Sequence, residues 1–302
     1  MQIHHAKAGK SSSDKMVKVF SYGLVGLFAI MCLYPLLLTV SVSFTGEALI
    51  ARDGFRLIPK AFTADTYMYL FAHSGNRILT SYGVTVFVTI AGTLGAMLVT
   101  SMIAYALSLK ELRYRNVIAF FCNFTIIFSV GLVPWYVVCV NYYHMENSLL
   151  ALILPSMVSV WNIFLLRTYF MDVSEALYDA AKIDGAGQFS IYFRIALPIS
   201  KTALLTVGLM YALTYWNDWW NALIFIKKKE LFPLQYYLYT IISNVNAVSS
   251  GRIPSGAAAN IKLPSETVKM AVTLITIGPV IFLYPFIQRY FVQGIMMGAV
   301  KE

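Results

Sequence analysis

The chain is short of charge. Only 12% of its 302 residues are Asp, Glu, Lys or Arg, against 59% hydrophobic residues, and its mean hydropathy is +0.68. Soluble globular domains carry about 25% charged residues, so this composition excludes one and indicates an integral membrane protein. Acid is scarcer still, with 14 Asp and Glu against 23 Lys and Arg and a net charge of +9. The cations lie scattered at the ends of apolar runs, not gathered in an aromatic-interleaved patch, which excludes a nucleic-acid surface. There are three cysteines, Cys32, Cys122 and Cys139, each inside an apolar run, so neither a disulfide framework nor a thiolate metal site has support. The four histidines, His4, His5, His73 and His144, all fall outside those runs. No G-x-x-x-x-G-K-[ST], H-E-x-x-H or G-x-S-x-G occurs, and Asp218 is the one acid within an apolar run. P-loop nucleotide binding and intramembrane hydrolysis therefore lack their parts. An autonomous channel or ion-coupled carrier would show inverted repeats with broken helices and several buried charges, and neither is legible.

What the chain does have is length of apolar run. A bilayer core takes about 20 apolar residues per helix, and runs at 20–42, 79–108, 116–140, 148–168, 202–226 and 267–288 meet that need. The expected fold class is an all-α membrane protein with six transmembrane helices. The first run follows a basic start with Lys7, Lys10, Lys15 and Lys18. It exceeds the roughly 7–15 apolar residues of a signal peptide and has no A-x-A-like cleavage site, so it reads as a retained helix. Connections at 109–115 and 141–147 are short, while those at 43–78, 169–201 and 227–266 are long. The 109–115 turn holds Lys110, Arg113 and Arg115 beside one acid, Glu111, and by the positive-inside rule places itself and the N-terminus in the cytoplasm. The 227–266 connection contains "SNVNAVSSGRIPSGAAAN", which has little to bury and is expected to be a flexible exposed loop. In the second run Gly92, Ala96, Thr100 and Ala104 form a small-residue face for close packing within the bundle. Asn123 and Asn162 are lone polar positions expected to form interhelical hydrogen bonds.

One stretch between apolar runs is soluble in character: "EALYDAAKIDGAGQFSIYFRIALP", Glu175 to Pro198. Asp172 and Glu175 have the spacing of a capping box and predict a helix start. Glu175, Asp179 and Lys182 then line one face, and Ala176, Ala180 and Ile183 another. Asp184-Gly185 predicts a turn with Gly187 as a second pivot. Beyond it Phe189, Tyr192, Phe193 and Ala196 form an aromatic face that Pro198 ends. Membrane-surface connectors usually set large apolar residues opposite basic ones. Here the apolar side is mostly alanine, which favours close approach by another protein.

This stretch resembles the EAA loop of inner-membrane permease subunits of ABC importers: E-A-A, then D-G-A, then a hydrophobic-x-L-P end. It departs at Leu177, where the second alanine usually stands, and the double alanine reappears at Ala180 and Ala181. "YWNDWWNAL" (215–223), "LFPLQYYL" (231–238) and the end "YPFIQRYFVQGIMMGAVKE" are similar to the carbohydrate, maltose-type branch, above all to permeases for complex oligosaccharides and polysaccharide fragments. The resemblance covers nearly the whole chain. It implies a type I importer permease fold in the cell membrane with both termini cytoplasmic. The segments would be 1–18 (cytoplasmic), 19–78 (first helix and outer loop), 79–290 (permease core, with the coupling loop at 169–201) and 291–302 (cytoplasmic tail). It also implies a non-catalytic subunit without a cofactor of its own. A second permease, two ATPases that bind ATP and Mg, and an extracytoplasmic sugar-binding protein would complete the transporter. Glu175, Ala176, Asp179, Ala180, Ala181, Asp184, Gly185 and Ala186 would seat the coupling helix on an ATPase. A different cargo, such as a simple sugar or glycerol phosphate, is the alternative within the family.

For the solute path the residues themselves mark the fifth run. Trp216, Asn217, Asp218, Trp220 and Asn221, with Trp219 among them, combine amides and a carboxylate with aromatic faces, the groups that suit hydroxyls and C–H faces of sugars. At 1.5 Å per residue Asp218 lies about 12 Å inside the outer end of that run, and an acid at such depth usually faces a wet cavity or a partner. Interface anchoring by the tryptophans is the competing reading.

Overall fold

The computed structural model describes residues 12–128, 130–249 and 266–281, and every regular element among them is helical. In chain order they are α1 (Ser12–Ser43), α2 (Glu47–Asp53), α3 (Asp65–Ser108), α4 (Arg115–Ile127), α5 (Leu132–Val137), α6 (Leu150–Ile153), α7 (Val160–Met171), α8 (Glu175–Ile183), α9 (Gln188–Ile191), α10 (Leu197–Ile199), α11 (Lys201–Trp216), α12 (Trp220–Phe225), α13 (Leu234–Ser249) and α14 (266–281). The chain divides into two units, Met1–Leu70 with Gly256–Ile275, and Phe71–Ser255 with Thr276–Glu302.

In the first unit α1 leaves its apolar side chains from Met16 to Leu37 exposed, as a lipid-facing helix does. Below it the polar ends are tied locally: the Tyr67 hydroxyl donates to Ser43 Oγ at 3.0 Å and Ser41 Oγ donates to the Arg56 carbonyl at 2.6 Å. The first turn of α14 carries backbone N–H groups without intrahelical acceptors. The Glu47 carboxylate takes two of them, from Glu266 at 3.2 Å and Thr267 at 3.1 Å, and the Thr267 hydroxyl at 3.0 Å. A negative charge there also complements the helix dipole.

In the second unit the small-residue face of α3 is the centre of packing. Ala96, Thr100 and Ala104 are fully buried, and α11 lies against them through two tyrosines at i, i+4. The Tyr211 hydroxyl sits 2.6 Å from Thr100 Oγ1 and accepts from the Ser159 backbone N–H at 3.1 Å. The Tyr215 hydroxyl donates to the Ile153 carbonyl at 2.8 Å, and its ring occupies the space beside Gly92 where a β-carbon would fall 2.6 Å from it. One helix thus holds α3, the α6 end and the start of α7 together. The expectation that this face packs within the bundle holds.

Among the described residues two helices are long and apolar enough to cross a bilayer unbroken, Met16–Ser43 within α1 and Ser74–Ser108 within α3. The runs expected at 116–140 and 148–168 are bent pairs, α4 with α5 and its π-helical continuation at 114°, and Leu150–Ser156 with α7 at 52°. The run expected at 202–226 is not one helix: α11 ends at Trp216, and α12 begins at Trp220 after a break. Asp218 Oδ1 accepts the Asn221 backbone N–H at 3.1 Å, and its other oxygen accepts the Asn221 side-chain amide at 2.6 Å. A side chain that caps a new helix start competes with continuation of the old one. The 227–266 connection also differs from expectation, since α13 occupies 234–249 and takes in the first part of the Ser- and Asn-rich stretch. Its N-terminus is fixed by Thr85 Oγ1 on α3, which accepts the Leu234 N–H at 2.8 Å. The remainder of that loop, the end of the sixth run and the C-terminal tail lie outside the described residues. Asn123 bonds back to the Ala119 carbonyl of its own helix at 3.1 Å and makes no interhelical hydrogen bond among the described residues. Asn162 is buried, and its backbone N–H caps onto Ser159 Oγ at 3.4 Å.

A side chain at position 92 has to displace the Tyr215 ring. Gly92→Leu is expected to cost about 1–3 kcal/mol as overpacking, read as a lowered midpoint of thermal unfolding in detergent. Gly83→Ala, at a position where nothing lies within 4 Å of an added β-carbon, is expected not to lower it, and to raise it slightly because alanine is the better helix former by about 0.5–1 kcal/mol.

Candidate functional site

The segment 169–201 folds as a short helix, a tight turn and a bent return. Helix α8 spans Glu175–Ile183, with an acid in its first turn and Lys182 in its last, both favourable to the helix dipole. Its N-cap is Ser174, without a side-chain cap bond. Asp172 instead closes α7 as its C-cap, so the capping box expected from Asp172 and Glu175 is absent. Two turn-forming residues, Asp172 and Ser174, compete there, and the end of α7 claims the first. The turn is as expected: Asp184 is the C-cap and Gly185 has φ +79°, a left-handed conformation that favours glycine. After it α9 passes into a π-helical turn at Tyr192–Ala196. The extra residue re-phases the return strand of helix, burying Tyr192 and Ala196 while Phe189 and Phe193 stay exposed. The single aromatic face expected there is split in two.

One buried side chain anchors α8. Tyr178 is its only buried residue; its hydroxyl donates to the Phe170 carbonyl at 3.4 Å and its ring stands edge-on to Tyr105 at 6.3 Å. Burial, then the neighbouring Tyr105, pushes the Tyr178 phenol up to about 12, so it remains a neutral donor. Tyr105, near the end of α3, is a hub. Its ring also meets Phe170 of α7 at 5.9 Å and Tyr192 at 5.2 Å, and its hydroxyl donates to Gln188 Oε1 at 3.0 Å. Ser101 Oγ and the Tyr192 hydroxyl lie 2.7 Å apart.

Two ion pairs flank this anchor, joining the 109–115 turn to α8. Lys110 Nζ lies 2.6 Å from Glu175 Oε2, and Lys182 Nζ lies 2.5 Å from Glu111 Oε1 and 3.5 Å from Asp179 Oδ1. The hydrogen bond that Lys182 donates to Glu111, opposed by desolvation and helped by Asp179, holds the Lys182 ammonium above its usual range. The pairs are exposed, and such a pair as Lys110–Glu175 contributes about 0.2–1 kcal/mol at most. They set direction more than stability. A cavity of about 440 Å³ lies behind them, between the turn, the end of α7 and α8. Facing away from it, Ala176, Ala180, Asp184 and Gly185 are exposed, with Ile183 at 86% and Leu177 at 47%, while Ala181 and Ala186 pack partly against the core.

The second set of predicted residues lies at the other end of α11, about 22 Å along its axis from Lys201. Asn217 is exposed; its amide donates to the Leu213 carbonyl at 2.9 Å, and its Oδ1 accepts from Gln235 Nε2 at 3.2 Å. Trp220 is exposed. Trp216 is half-buried, and its indole N–H is buried without an acceptor among the described residues. Asp218 and Asn221 turn inward to each other, with the Asn221 amide also reaching Ser156 Oγ at 3.3 Å. The break in the helix also brings Trp219 against the pair Tyr239 and Tyr236, which a helical reading of the sequence did not single out. Trp219 stacks on Tyr239 of α13 at 4.9 Å, and Tyr239 on Tyr236 at 6.2 Å. Tyr178, Tyr105, Lys110 and Glu111 were likewise missed as site residues. A tyrosine interrupting an alanine-rich helix was the available signal for Tyr178.

No protein-family profile matches the chain. It is 34% identical over 288 residues, 95% of its length and 99% of the relative's, to the polygalacturonan/rhamnogalacturonan transport system permease protein YtcP of Bacillus subtilis. It is 28% identical, over 90% of its length and 92% of the relative's, to the arabinooligosaccharides transport system permease protein AraQ of Halalkalibacterium halodurans. A crystal structure of a bacterial ABC transporter involved in the import of the acidic polysaccharide alginate has a chain that superposes with a TM-score of 0.82 and 30% identity, over 93% of this chain and 98% of that one. The chain belongs to the permease subunits of carbohydrate ABC transporters: a multi-pass, non-catalytic protein of the cell membrane.

Tyr178→Ala is expected to cost about 3–5 kcal/mol, the range for emptying a buried aromatic site, and Lys110→Ala no more than about 1 kcal/mol. Thermal unfolding of the purified chain in detergent separates the two.

Proposed function

We propose that the chain is the permease subunit of an importer that moves oligosaccharides or polysaccharide fragments across the cytoplasmic membrane by alternating access. In this reading six spans form a type I permease, both termini are cytoplasmic, and α8 seats on an ATPase. A second permease, two ATPases and an extracytoplasmic sugar-binding protein complete the assembly, and ATP with Mg is handled by the ATPases. The observation that carries the reading is the build of α8. It presents alanines and glycine outward, with Glu175, Asp179 and Asp184 beside them, yet is tied inward by Tyr178 and the Lys110 and Lys182 ion pairs. Small side chains let a partner surface approach closely, and the inward ties pass its displacement to α3 and α7. Trp216, Asn217, Asp218, Trp220 and Asn221 border the solute path at the far end of α11. Asn217 and Trp220 face outward to meet sugar, and Asp218 with Asn221 fix the turn that presents them. The cargoes named for the relatives run from arabinooligosaccharides to alginate, described as an acidic polysaccharide.

In proteoliposomes holding the complete transporter, Gly185→Pro and Glu175→Lys are expected to abolish uptake and the stimulation of ATP hydrolysis by loaded binding protein. Survival of both activities in both variants would remove α8 from the coupling role. Trp220→Ala is expected to change uptake kinetics with ATPase docking intact. Asp218→Ala should in addition lower thermal stability by about 0.5–2 kcal/mol, the usual cost of a lost helix cap; uptake unchanged in both variants would take the turn out of the path.

A further inference from the structure

A polar cleft of about 580 Å³ opens near the N-terminal end of α3, within the size range of small-molecule sites. Ser74, Asn76, Arg77 and Thr80 of α3 line it together with the exposed ring of Phe71 and with Lys229 from the segment after α12. Glu230 is the one acid on its wall. Neither Arg77 nor Lys229 belongs to an ion pair among the described residues, whereas the neighbouring Lys227 is paired with Glu146 at 2.5 Å and Lys110 and Lys182 are paired at the other end of α3. Arg77 stands 31 residues before Ser108, about 46 Å along the helix. That exceeds the roughly 30 Å hydrocarbon core, so the cleft and α8 lie on opposite sides of the membrane.

These groups form a chemically consistent set. A guanidinium offers a planar fork for a carboxylate, and a free ammonium adds a point charge. Serine and threonine hydroxyls and an asparagine amide serve as donors and acceptors for sugar hydroxyls. An exposed phenyl ring offers an apolar face to C–H groups. We propose that this cleft is an entry-side subsite for glycans carrying carboxylates, that is, uronate-containing oligosaccharides, with Arg77 and Lys229 receiving the carboxylate. The proposal rests on glycan import with α8 on the cytoplasmic side. It is separate from the Asn217–Trp220 turn.

The test uses the complete transporter in proteoliposomes and two probes, trigalacturonate and its uncharged counterpart galactotriose. Wild type is expected to take up trigalacturonate in preference, and the preference is expected to shrink as salt rises and screens the charges. Arg77→Gln and Lys229→Gln should each raise the half-saturating concentration of trigalacturonate by about tenfold, the effect of losing one charged hydrogen bond. Galactotriose uptake and basal ATP hydrolysis should be unchanged, and Arg77→Lys should restore part of the acid's uptake. Unchanged trigalacturonate kinetics in both Gln variants would overturn the assignment. So would equal losses for both sugars, which would mean that the cleft serves docking or folding, or a lack of rescue by Arg77→Lys. Uptake of galactotriose without preference would overturn the uronate subsite and leave glycan import standing, while uptake of neither probe would overturn both.

Discussion

The second unit depends on one close approach, that of α11 onto the small-residue face of α3. Gly92 leaves room for the Tyr215 ring, and Ala96, Thr100 and Ala104 are buried behind it. In lipid no hydrophobic drive separates helix from solvent, so association relies on packing and interhelical hydrogen bonds. Tyr211 and Tyr215 supply both. Their hydroxyls reach Thr100, Ser159 and Ile153, so a single helix positions three others. Because α11 is fixed along its length, so are its two ends, where the 169–201 segment enters and where the Asn217–Trp219 break begins.

The two ends are built differently. At the α8 end apolar anchoring is concentrated in Tyr178 and the Tyr105 hub, and the remaining ties are exposed ion pairs of small energetic weight. In the proposed coupling role, a helix held by one buried ring and oriented by charges would follow a partner's movement while staying attached to α3 and α7. The other end is locked by short polar bonds. Asn147 Oδ1 accepts the Lys227 and Lys228 backbone N–H groups at 2.7 and 3.0 Å, Thr85 holds the start of α13, and Asp218 caps α12. A rigid frame there keeps Asn217, Trp219 and Trp220 in fixed array.

The residues differ in how much they disclose of this. The body of α8, its C-terminal end and the left-handed Gly185 were legible because they are local: an alanine-rich stretch with charges at i, i+4 and i+7 makes a helix, and Asp-Gly ends it. The small face of α3 was legible for the same reason, since it is a single helix's periodicity. The α7–α8 junction was misread because Asp172 and Ser174 both suit a cap, and only the end of α7 decides between them. The 227–266 loop was misread because Ser, Asn and Ala are poor indicators of burial. The α13 helix within it is held from elsewhere in the chain, by Thr85 of α3 at its N-terminus and by the Trp219–Tyr239 stack. Lys110 read as a marker of membrane side and proved also to be the partner of Glu175, 65 residues away in sequence, a pairing no periodicity reveals.

By itself the sequence determined the membrane class, the apolar runs and the soluble helix with its glycine turn, because composition, run length and local turn chemistry act over a few residues. Only the tertiary structure decided that the fifth apolar run breaks at Asn217, that Asp218 and Asn221 face each other while Asn217 and Trp220 face out, and that Arg77 and Lys229 share one cleft. Each of those outcomes depends on side chains meeting across long stretches of chain, where the competing local preferences are nearly balanced and packing chooses.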